Sequence, residues 1–187
     1  MSFLDAREIR SAYLSAKTNW SDVPDLVGNA FVTSEDKNFF KRSPSRSTLT
    51  ASLGFWYPHG GGKTRFALTI AFGQALDRKE ILDWYVHSIF LGQRCFGVDD
   101  AAFAYFGKST NELALHELAL LAALPQSPAQ LTRIGGHDRI LLRRNYILSK
   151  MAELGFISPA HAHNSQVGPL GLRDPLGMCA IKQAPLP

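Results

Sequence analysis

The stretch from Ile81 to Pro128, ILDWYVHSIFLGQRCFGVDDAAFAYFGKSTNELALHELALLAALPQSP, decides the fold because its apolar residues recur at helical spacing. Just before it, Asp77 is followed three residues later by Glu80, a capping-box pattern that predicts a helix start. Ser109 and Glu112 repeat this pattern ahead of LALHELALLAAL, which is apolar almost all round. Such a segment predicts a helix at the centre of a domain.

Helical patterns continue on both sides of this stretch. They begin at Ser2, which is followed by Asp5, and again near Pro24, cover Thr64–Leu76 and Asp138–Leu154, and resume at Pro159. No alternation of apolar and polar residues lasts long enough to build a sheet. The sequence therefore predicts an all-α fold.

Segments rich in Ser, Pro and Gly divide the chain. Residues 42–62 contain Ser, Arg, Pro and three consecutive glycines, which predicts a mobile loop with at most a short helix. The four prolines after residue 165 predict a loosely held tail. We therefore expect an N-terminal helical extension over 1–21, a main domain over 22–165 and a tail over 166–187.

Composition restricts the partners without choosing among them. The 187 residues fit one domain, and 20 Lys and Arg against 16 Asp and Glu give a pI near 9.2. This mildly basic balance favours an anionic partner such as pyrophosphate, a phospholipid surface or nucleic acid. Nucleic acid is the least favoured, because the basic helix Arg139–Lys150 keeps several apolar residues for the core.

Neither export nor a disulfide is predicted from the sequence. The two cysteines, Cys95 and Cys179, are far apart and match no disulfide or metal-ligand pattern, so we expect plain small side chains. The longest apolar run, Leu118–Leu124, is far shorter than the roughly 20 residues of a membrane helix. The charged N-terminal residues do not form a signal peptide, so we expect a soluble chain without an export signal.

Glu35 and Asp36 are the first candidates for chemistry. They follow an apolar helical face and precede Phe39 and Phe40. Partial removal of Glu35 from water in this setting would raise its pKa and suit it to act as a general base. The alternative is that both are solvated residues at a helix end.

Several short strings together resemble one family. These are the Ile-Leu-Asp-x-Tyr string ending at Tyr85, Phe96-Gly-Val, the Tyr-Phe-Gly-Lys string ending at Lys108, and Leu-Pro-Gln-Ser-Pro ending at Pro128. They resemble the peptidoglycan glycosyltransferases, the lysozyme-like enzymes that polymerise lipid II. These occur as monofunctional transglycosylases and as the glycosyltransferase domain of bifunctional penicillin-binding proteins. The resemblance covers about Asp22 to Ile157 and implies an all-α, lysozyme-like domain.

The family's first two motifs imply roles for the polar residues before position 51. The Ala-Phe-x-x-x-Glu-Asp-x-x-Phe pattern implies that Glu35 is the general base and Asp36 a supporting carboxylate. Ser47-Thr48-Leu-Thr is similar to the motif that lines the donor cleft, although arginine replaces a glycine and Ala-Ser replaces two glutamines. A plain polar loop explains this string equally well. The phosphate contacts implied here are Arg42, Arg46, Ser47 and Thr48.

The later motifs are less complete. Counting back from Ile81 places Arg65 where the family has its second carboxylate, so that Lys63 and Arg65 remain only as pyrophosphate contacts. His87 stands in place of the asparagine of Tyr-Leu-Asn, and it fits a histidine at the rim of the core at least as well as a substrate contact. Arg94 is a further expected glycan or phosphate contact.

A separate expectation concerns Glu117, which lies within a nearly apolar helix. A carboxylate in such a place needs a buried partner, and Arg143 or Arg144 is the expected one.

The resemblance implies that the chain polymerises lipid II into β-1,4 glycan strands and releases undecaprenyl pyrophosphate. It implies no required cofactor, allows a divalent cation at the diphosphate, and places the reaction at the outer face of the bacterial cytoplasmic membrane. Expected partners are lipid II, the growing glycan strand, the membrane surface and cell-wall synthesis proteins. The alternative is a catalytically degenerate module that binds lipid pyrophosphate, glycan or a cell-wall partner.

Overall fold

The computed structural model describes residues 5–55, 62–126, 128–129, 131 and 136–180. The helices of this part, in chain order, are α1 (Ala6–Lys17), α2 (Asp25–Glu35), α3 (Thr48–Phe55), α4 (Gly62–Ala75), α5 (Arg78–Ser88), α6 (Val98–Phe106), α7 (Leu115–Ala123), α8 (Gly136–Glu153) and α9 (Pro159–Gln166). Short 3-10 turns cover Pro44–Arg46 and Thr110–Glu112. The described residues form no β-strand, only an isolated pairing of Phe90 with Phe96. The all-α prediction is confirmed.

Capping boxes fix the starts of two helices: α5 starts at the predicted Asp77, and α1 starts at Asp5, whereas the predicted start signal began at Ser2, outside the described residues. The Asp5 carboxylate accepts from the backbone N–H of Glu8 at 2.9 Å, and the Glu8 side chain accepts from the backbone N–H of Asp5 at 2.8 Å. Asp77 and Glu80 exchange the same pair of bonds at the start of α5. Local hydrogen bonding within four residues thus starts both helices.

Helix α7 lies at the centre of the domain, as its apolar sequence predicted. Every residue of α7 except His116 is buried, and the helix packs against α2, α6, α8 and α9. Its start differs from the prediction, because the Ser109 and Glu112 box closes only the 3-10 turn before it. The helix itself begins at Leu115.

The segment 42–62, predicted as a mobile loop, contains the turn Pro44–Arg46, helix α3 and the first residue of α4. Helix α3 starts at Thr48 because two side chains satisfy its first N–H groups. The Asp36 carboxylate accepts from the N–H of Thr48 at 3.0 Å, and the Ser47 hydroxyl accepts from that of Leu49 at 3.1 Å. Helix α3 is the short helix that the prediction allowed, while 56–61 lie outside the described residues.

Glu117 has a different partner from the one predicted. The residue is 3% exposed. Its carboxylate accepts two hydrogen bonds from Lys108 Nζ, at 2.8 and 2.9 Å. Arg144 donates instead to the backbone carbonyls of Gln166 and Gly168, both at 2.8 Å. The expected pairing of Glu117 with Arg143 or Arg144 is wrong, because α8 directs both guanidinium groups towards other hydrogen-bond acceptors.

The two cysteines form a disulfide, so the prediction of plain small side chains is wrong. Cys95 and Cys179 are separated by 84 residues in sequence, and the chain returns to bring them together. Sequence spacing carries no signal for such a pairing, because only the path of the chain decides it.

The segment from 167 to 180 packs against the domain, which corrects the prediction of a loosely held tail over this part. The backbone N–H groups of Arg173 and Gly177 donate to the carbonyls of Tyr105 and Ala104, both at 2.8 Å. Leucines 170, 172 and 176 pack against the core. Residues 181–187 of the predicted tail lie outside the described residues.

The disulfide predicts a measurable gain in stability. Removing it with Cys95→Ser/Cys179→Ser should lower the free energy of unfolding by about 2 to 5 kcal/mol, because the unfolded chain loses a long-range constraint. Urea unfolding of the oxidised and the reduced wild-type chain measures the difference. Adding reductant should leave the unfolding midpoint of the double variant unchanged. Equal midpoints for the oxidised and reduced wild type would contradict the prediction.

Candidate active site

Glu35 is the last residue of α2, and its carboxylate is half-buried among polar groups from three parts of the chain. Oε1 accepts from the Ser34 hydroxyl at 3.1 Å and from Gln126 Nε2 at 3.4 Å. Arg143 Nη2 donates to the same Ser34 hydroxyl at 3.4 Å. The carboxylate thus has hydrogen-bond donors and a cation close by without a direct ion pair.

Burial raises the pKa of Glu35 above its ordinary value. The bonds from Ser34 and Gln126, and then the charge of Arg143, oppose this rise without cancelling it. Buried Tyr85 lies nearby, and burial followed by the Glu35 charge raises the pKa of its phenol, so that Tyr85 stays a neutral neighbour. A carboxylate with a raised pKa is a stronger proton acceptor once it is ionised.

The apolar face of α2 explains this placement. Val27, Ala30 and Phe31 are buried in the core and fix the helix, which leaves Glu35 at the rim of the domain. The chain then leaves the helix at Asp36, whose backbone N–H still donates to Val32. The sequence interpretation that Glu35 is partly removed from water therefore agrees with the geometry, while its role in a reaction stays a prediction.

Asp36, the predicted supporting carboxylate, is buried and makes contacts that organise the backbone. Its two oxygens accept from the N–H groups of Thr48 at 3.0 Å and Asn38 at 3.3 Å. Arg42 Nη1 lies 4.0 Å from Oδ1. Asp36 and Arg42 thus join the end of α2 to the start of α3.

A cavity of about 690 Å³ lies between the turn Pro44–Arg46, α3 and α4. Arg46 and Arg65 line it, as do Phe66, which is 68% exposed, and a set of hydroxyls. The hydroxyl residues are Ser45, Ser47, Thr48, Ser52 and Thr69. None of the described residues that line it is acidic, so the cavity suits an anion with an apolar portion.

Thr48 connects this cavity to Glu35. It lines the cavity, and its hydroxyl donates to the backbone carbonyl of Glu35 at 3.0 Å. The structure therefore brings Glu35, Asp36, Arg46, Ser47 and Thr48 into one region, while their role as site residues stays a prediction.

Lys63 and Arg65, the other predicted phosphate contacts, lie on α4. Arg65 lines the cavity. Lys63 is in the first turn of the helix, and its side chain lies outside the described residues.

His87 and Arg94 are not brought to Glu35. The His87 ring stacks on Trp20 with a centroid separation of 4.7 Å, and Nε2 lies 3.7 Å from the Asp99 carboxylate. Arg94 Nη2 lies 3.2 Å from the sulfur of Met178, near the disulfide. Both line parts of the surface away from the cavity between α3 and α4.

Sequence reasoning assigned no site role to Gln126, Ser34 or Arg143, which surround the Glu35 carboxylate. A signal for Gln126 was present in the string Leu-Pro-Gln-Ser-Pro, which was used only as a family marker. Arg143 had no local signal, because its amphipathic helix does not reveal which element it faces.

Metal coordination by the chain is not indicated in the part that the structure describes. No group of three or more His, Cys, Asp or Glu side chains lies close enough to hold an ion. The residues around the cavity therefore do not fit a directly coordinated divalent cation.

None of the helices within the described ranges is long and apolar enough to span a bilayer.

Comparisons with known proteins identify relatives of this chain. The sequence model of the transglycosylase family matches residues 63–152. Penicillin-binding protein 1A of Aquifex aeolicus is 34% identical over an alignment of 180 residues. The match covers 81% of this chain and 24% of that protein. Penicillin-binding protein 1A of Escherichia coli is 42% identical over 163 residues, 73% of this chain and 19% of that protein.

A solved structure is also similar. The 2.6 Å crystal structure of penicillin-binding protein 1A from Haemophilus influenzae gives a TM-score of 0.56 at 30% identity and covers 81% of this chain. The match covers 17% of that chain. This chain thus spans about a quarter or less of the length of these relatives.

The Glu35 environment predicts a titration. The carboxyl carbon of Glu35, followed by NMR, should titrate above the ordinary pKa because the group is half-buried. Arg143→Gln should raise that pKa further, because the guanidinium charge that favours the ionised form is lost. Arg139→Gln, at an exposed position on the same helix, is the matched control and should leave it unchanged. An ordinary pKa in the wild type, or no shift with Arg143→Gln, would show that this environment is wrongly described.

Proposed function

Because the chain belongs to the peptidoglycan glycosyltransferase family through its transglycosylase domain, we propose that it polymerises lipid II into β-1,4 glycan strands and releases undecaprenyl pyrophosphate. The observation that carries this proposal is the half-buried Glu35, whose backbone carbonyl accepts from Thr48 in the wall of a cavity lined by two arginines. A base and an anion site are two requirements of this transfer.

In the proposed reaction, ionised Glu35 takes the proton from the attacking hydroxyl of the acceptor sugar. The oxygen forms a bond to C1 of the donor sugar while the bond from C1 to the phosphate oxygen breaks, which inverts C1. The electron pair of that bond leaves with the undecaprenyl pyrophosphate. Since Glu35 acts only when ionised, activity should fall as the pH falls through its raised pKa.

The departing diphosphate gains negative charge in this step, and the cavity between α3 and α4 supplies the compensating groups. Arg46 and Arg65 provide charge-assisted hydrogen bonds, for which guanidinium geometry is well suited. The exposed ring of Phe66 on the same wall offers apolar surface to the start of the lipid. Thr48 holds this wall against the backbone of Glu35.

The disulfide supports a location outside the cytoplasm. Such bonds persist in oxidising compartments and are rare in the bacterial cytosol. Cys95–Cys179 joins two distant parts of the fold. We therefore place the reaction at the outer face of the cytoplasmic membrane, where lipid II and the growing strand meet, with cell-wall synthesis proteins as partners.

A second candidate is a degenerate module that binds lipid pyrophosphate without turnover. One observation favours it: the described lining of the cavity contains no carboxylate, and Arg65 stands where the family resemblance requires one. A positive charge there would tighten binding of the diphosphate while removing a group that takes part in the chemistry.

Labelled lipid II separates the two candidates. Under the first, wild-type chain forms polymer and Glu35→Gln lowers the rate at least roughly a hundredfold, the usual effect of losing a general base. Glu153→Gln, at an exposed position on α8, is the control and should retain the rate. Tight binding with no polymer from the wild type would favour the second candidate. Equal rates from wild type and Glu35→Gln would refute the role of Glu35.

The arginines predict a separate effect on substrate binding. Arg46→Gln and Arg65→Gln should each weaken lipid II binding about tenfold or more, because a charged hydrogen bond is worth roughly 1.5 to 3 kcal/mol. Arg139→Gln, at an exposed position on α8 and outside this cavity, is the comparison and should bind normally. Binding that is insensitive to both substitutions would exclude the cavity as the diphosphate site.

A further inference from the structure

A second concave surface, which we call the α2–α5 groove, lies away from the cavity beside Glu35. It consists of a cavity of about 380 Å³ and a smaller one of about 150 Å³. The two adjoin, because Val23, Lys79 and Asp83 line both. No described residue lines both this groove and the cavity between α3 and α4.

The charge of the groove is balanced. Its ionisable lining residues, apart from His87, are the cations Lys17, Arg78 and Lys79 and the anions Asp22, Asp25 and Asp83. The cavity beside Glu35, in contrast, has two arginines and no acid among its described lining residues. The groove therefore suits a ligand that is neutral overall and rich in hydrogen-bonding groups.

Aromatic side chains lie at both ends of the groove. Phe40 lines the larger cavity and is 49% exposed, and Trp20 lines the smaller one. The Trp20 ring is held by stacking on His87 at 4.7 Å and by an edge contact with Tyr13 at 5.7 Å. The groove thus presents apolar ring surface beside its charged groups.

Polar side chains in the groove have hydrogen-bonding capacity that the described part of the chain does not use. The side chains of Asp25, Asn29 and Lys79 make no hydrogen bond or ion pair with another described residue. Arg78 donates through Nη2 to the carbonyl of Arg42 at 2.7 Å, but its Nε is buried and has no partner. A buried donor of this kind costs free energy unless a ligand or water accepts from it.

We propose that the α2–α5 groove binds a carbohydrate chain, a neutral β-1,4-linked N-acetylhexosamine oligosaccharide. A pyranose ring combines apolar C–H surface with hydroxyls, which matches aromatic rings beside carboxylate, amide and cationic groups. The assignment of the sugar rests on the proposed function, since the product of that reaction is such a strand.

A peptide fits the groove less well. Peptides dock by adding a strand to a sheet edge or by laying an apolar helix face into an apolar groove. The groove is built from helices whose backbone groups are bonded within α2 and α5, and six of its sixteen lining residues are charged, which interrupts its apolar surface. It offers neither mode within the described residues.

The groove and Glu35 share helix α2. Asn29 precedes Glu35 by six residues on α2, which corresponds to about 9 Å along the helix axis. A strand bound there would keep the growing product on the protein between successive additions.

Calorimetric titration with chitotetraose, a β-1,4-linked N-acetylglucosamine tetramer, tests the proposal. The wild type should bind it, and Asp25→Ala/Lys79→Ala should bind at least tenfold more weakly. Both side chains are exposed, so this variant should fold, which its melting temperature checks. Phe40→Ala provides an independent second variant with the same expected loss. Arg139→Ala is the matched surface control, and Glu35→Gln and Arg46→Gln should retain binding.

The outcomes separate this proposal from the proposed function. If the wild type binds chitotetraose but makes no polymer, carbohydrate binding in the groove is supported and the proposed polymerase activity is refuted. No binding by the wild type, binding that the groove variants do not weaken, or binding lost in Arg46→Gln would each overturn the groove. Preferential binding of a peptidoglycan stem peptide over chitotetraose would also overturn it, in favour of a peptide site.

Discussion

The arrangement of the site depends on a pair of contacts between the end of α2 and the start of α3. Asp36 accepts from the N–H of Thr48, and the Thr48 hydroxyl donates to the carbonyl of Glu35. The first bond satisfies an unpaired N–H group at the start of α3, and the second fixes the last turn of α2. As a result, the residue that carries the candidate base is tied through its backbone to the wall of the arginine-lined cavity, although the two belong to different elements.

The distribution of charge divides the surface into two regions that suit different ligands. The cavity beside Glu35 concentrates Arg46 and Arg65, whereas the α2–α5 groove balances three cations against three anions. The net charge of +4 gives no hint of this division, because it sums over both regions. Under the two proposals, an anionic leaving group would therefore be held between α3 and α4 and a neutral product strand between α2 and α5.

The disulfide supports the site from a distance. It ties the segment near Cys179 to the loop of Cys95, and Gly92 at the start of that loop has a φ of 85°. A Cβ at Gly92 would lie 2.6 Å from the carbonyl oxygen of Pro128, so only glycine permits this close approach. Pro128 follows Gln126, which donates to Glu35. The disulfide thus joins the C-terminal segment to a loop that packs against Pro128, two residues after the Gln126 that bonds to Glu35.

The sequence by itself determined the helices and the partial removal of Glu35 from water. The capping boxes of Asp5 and Asp77 and the apolar face of α2 act over a few residues, so their outcome can be read from local spacing. Tertiary structure alone decided that Lys108 pairs with Glu117, that Cys95 meets Cys179, and that Arg143 faces Ser34. Partners distant in sequence meet only through the path of the chain and the rotation of each helix, which local patterns do not encode.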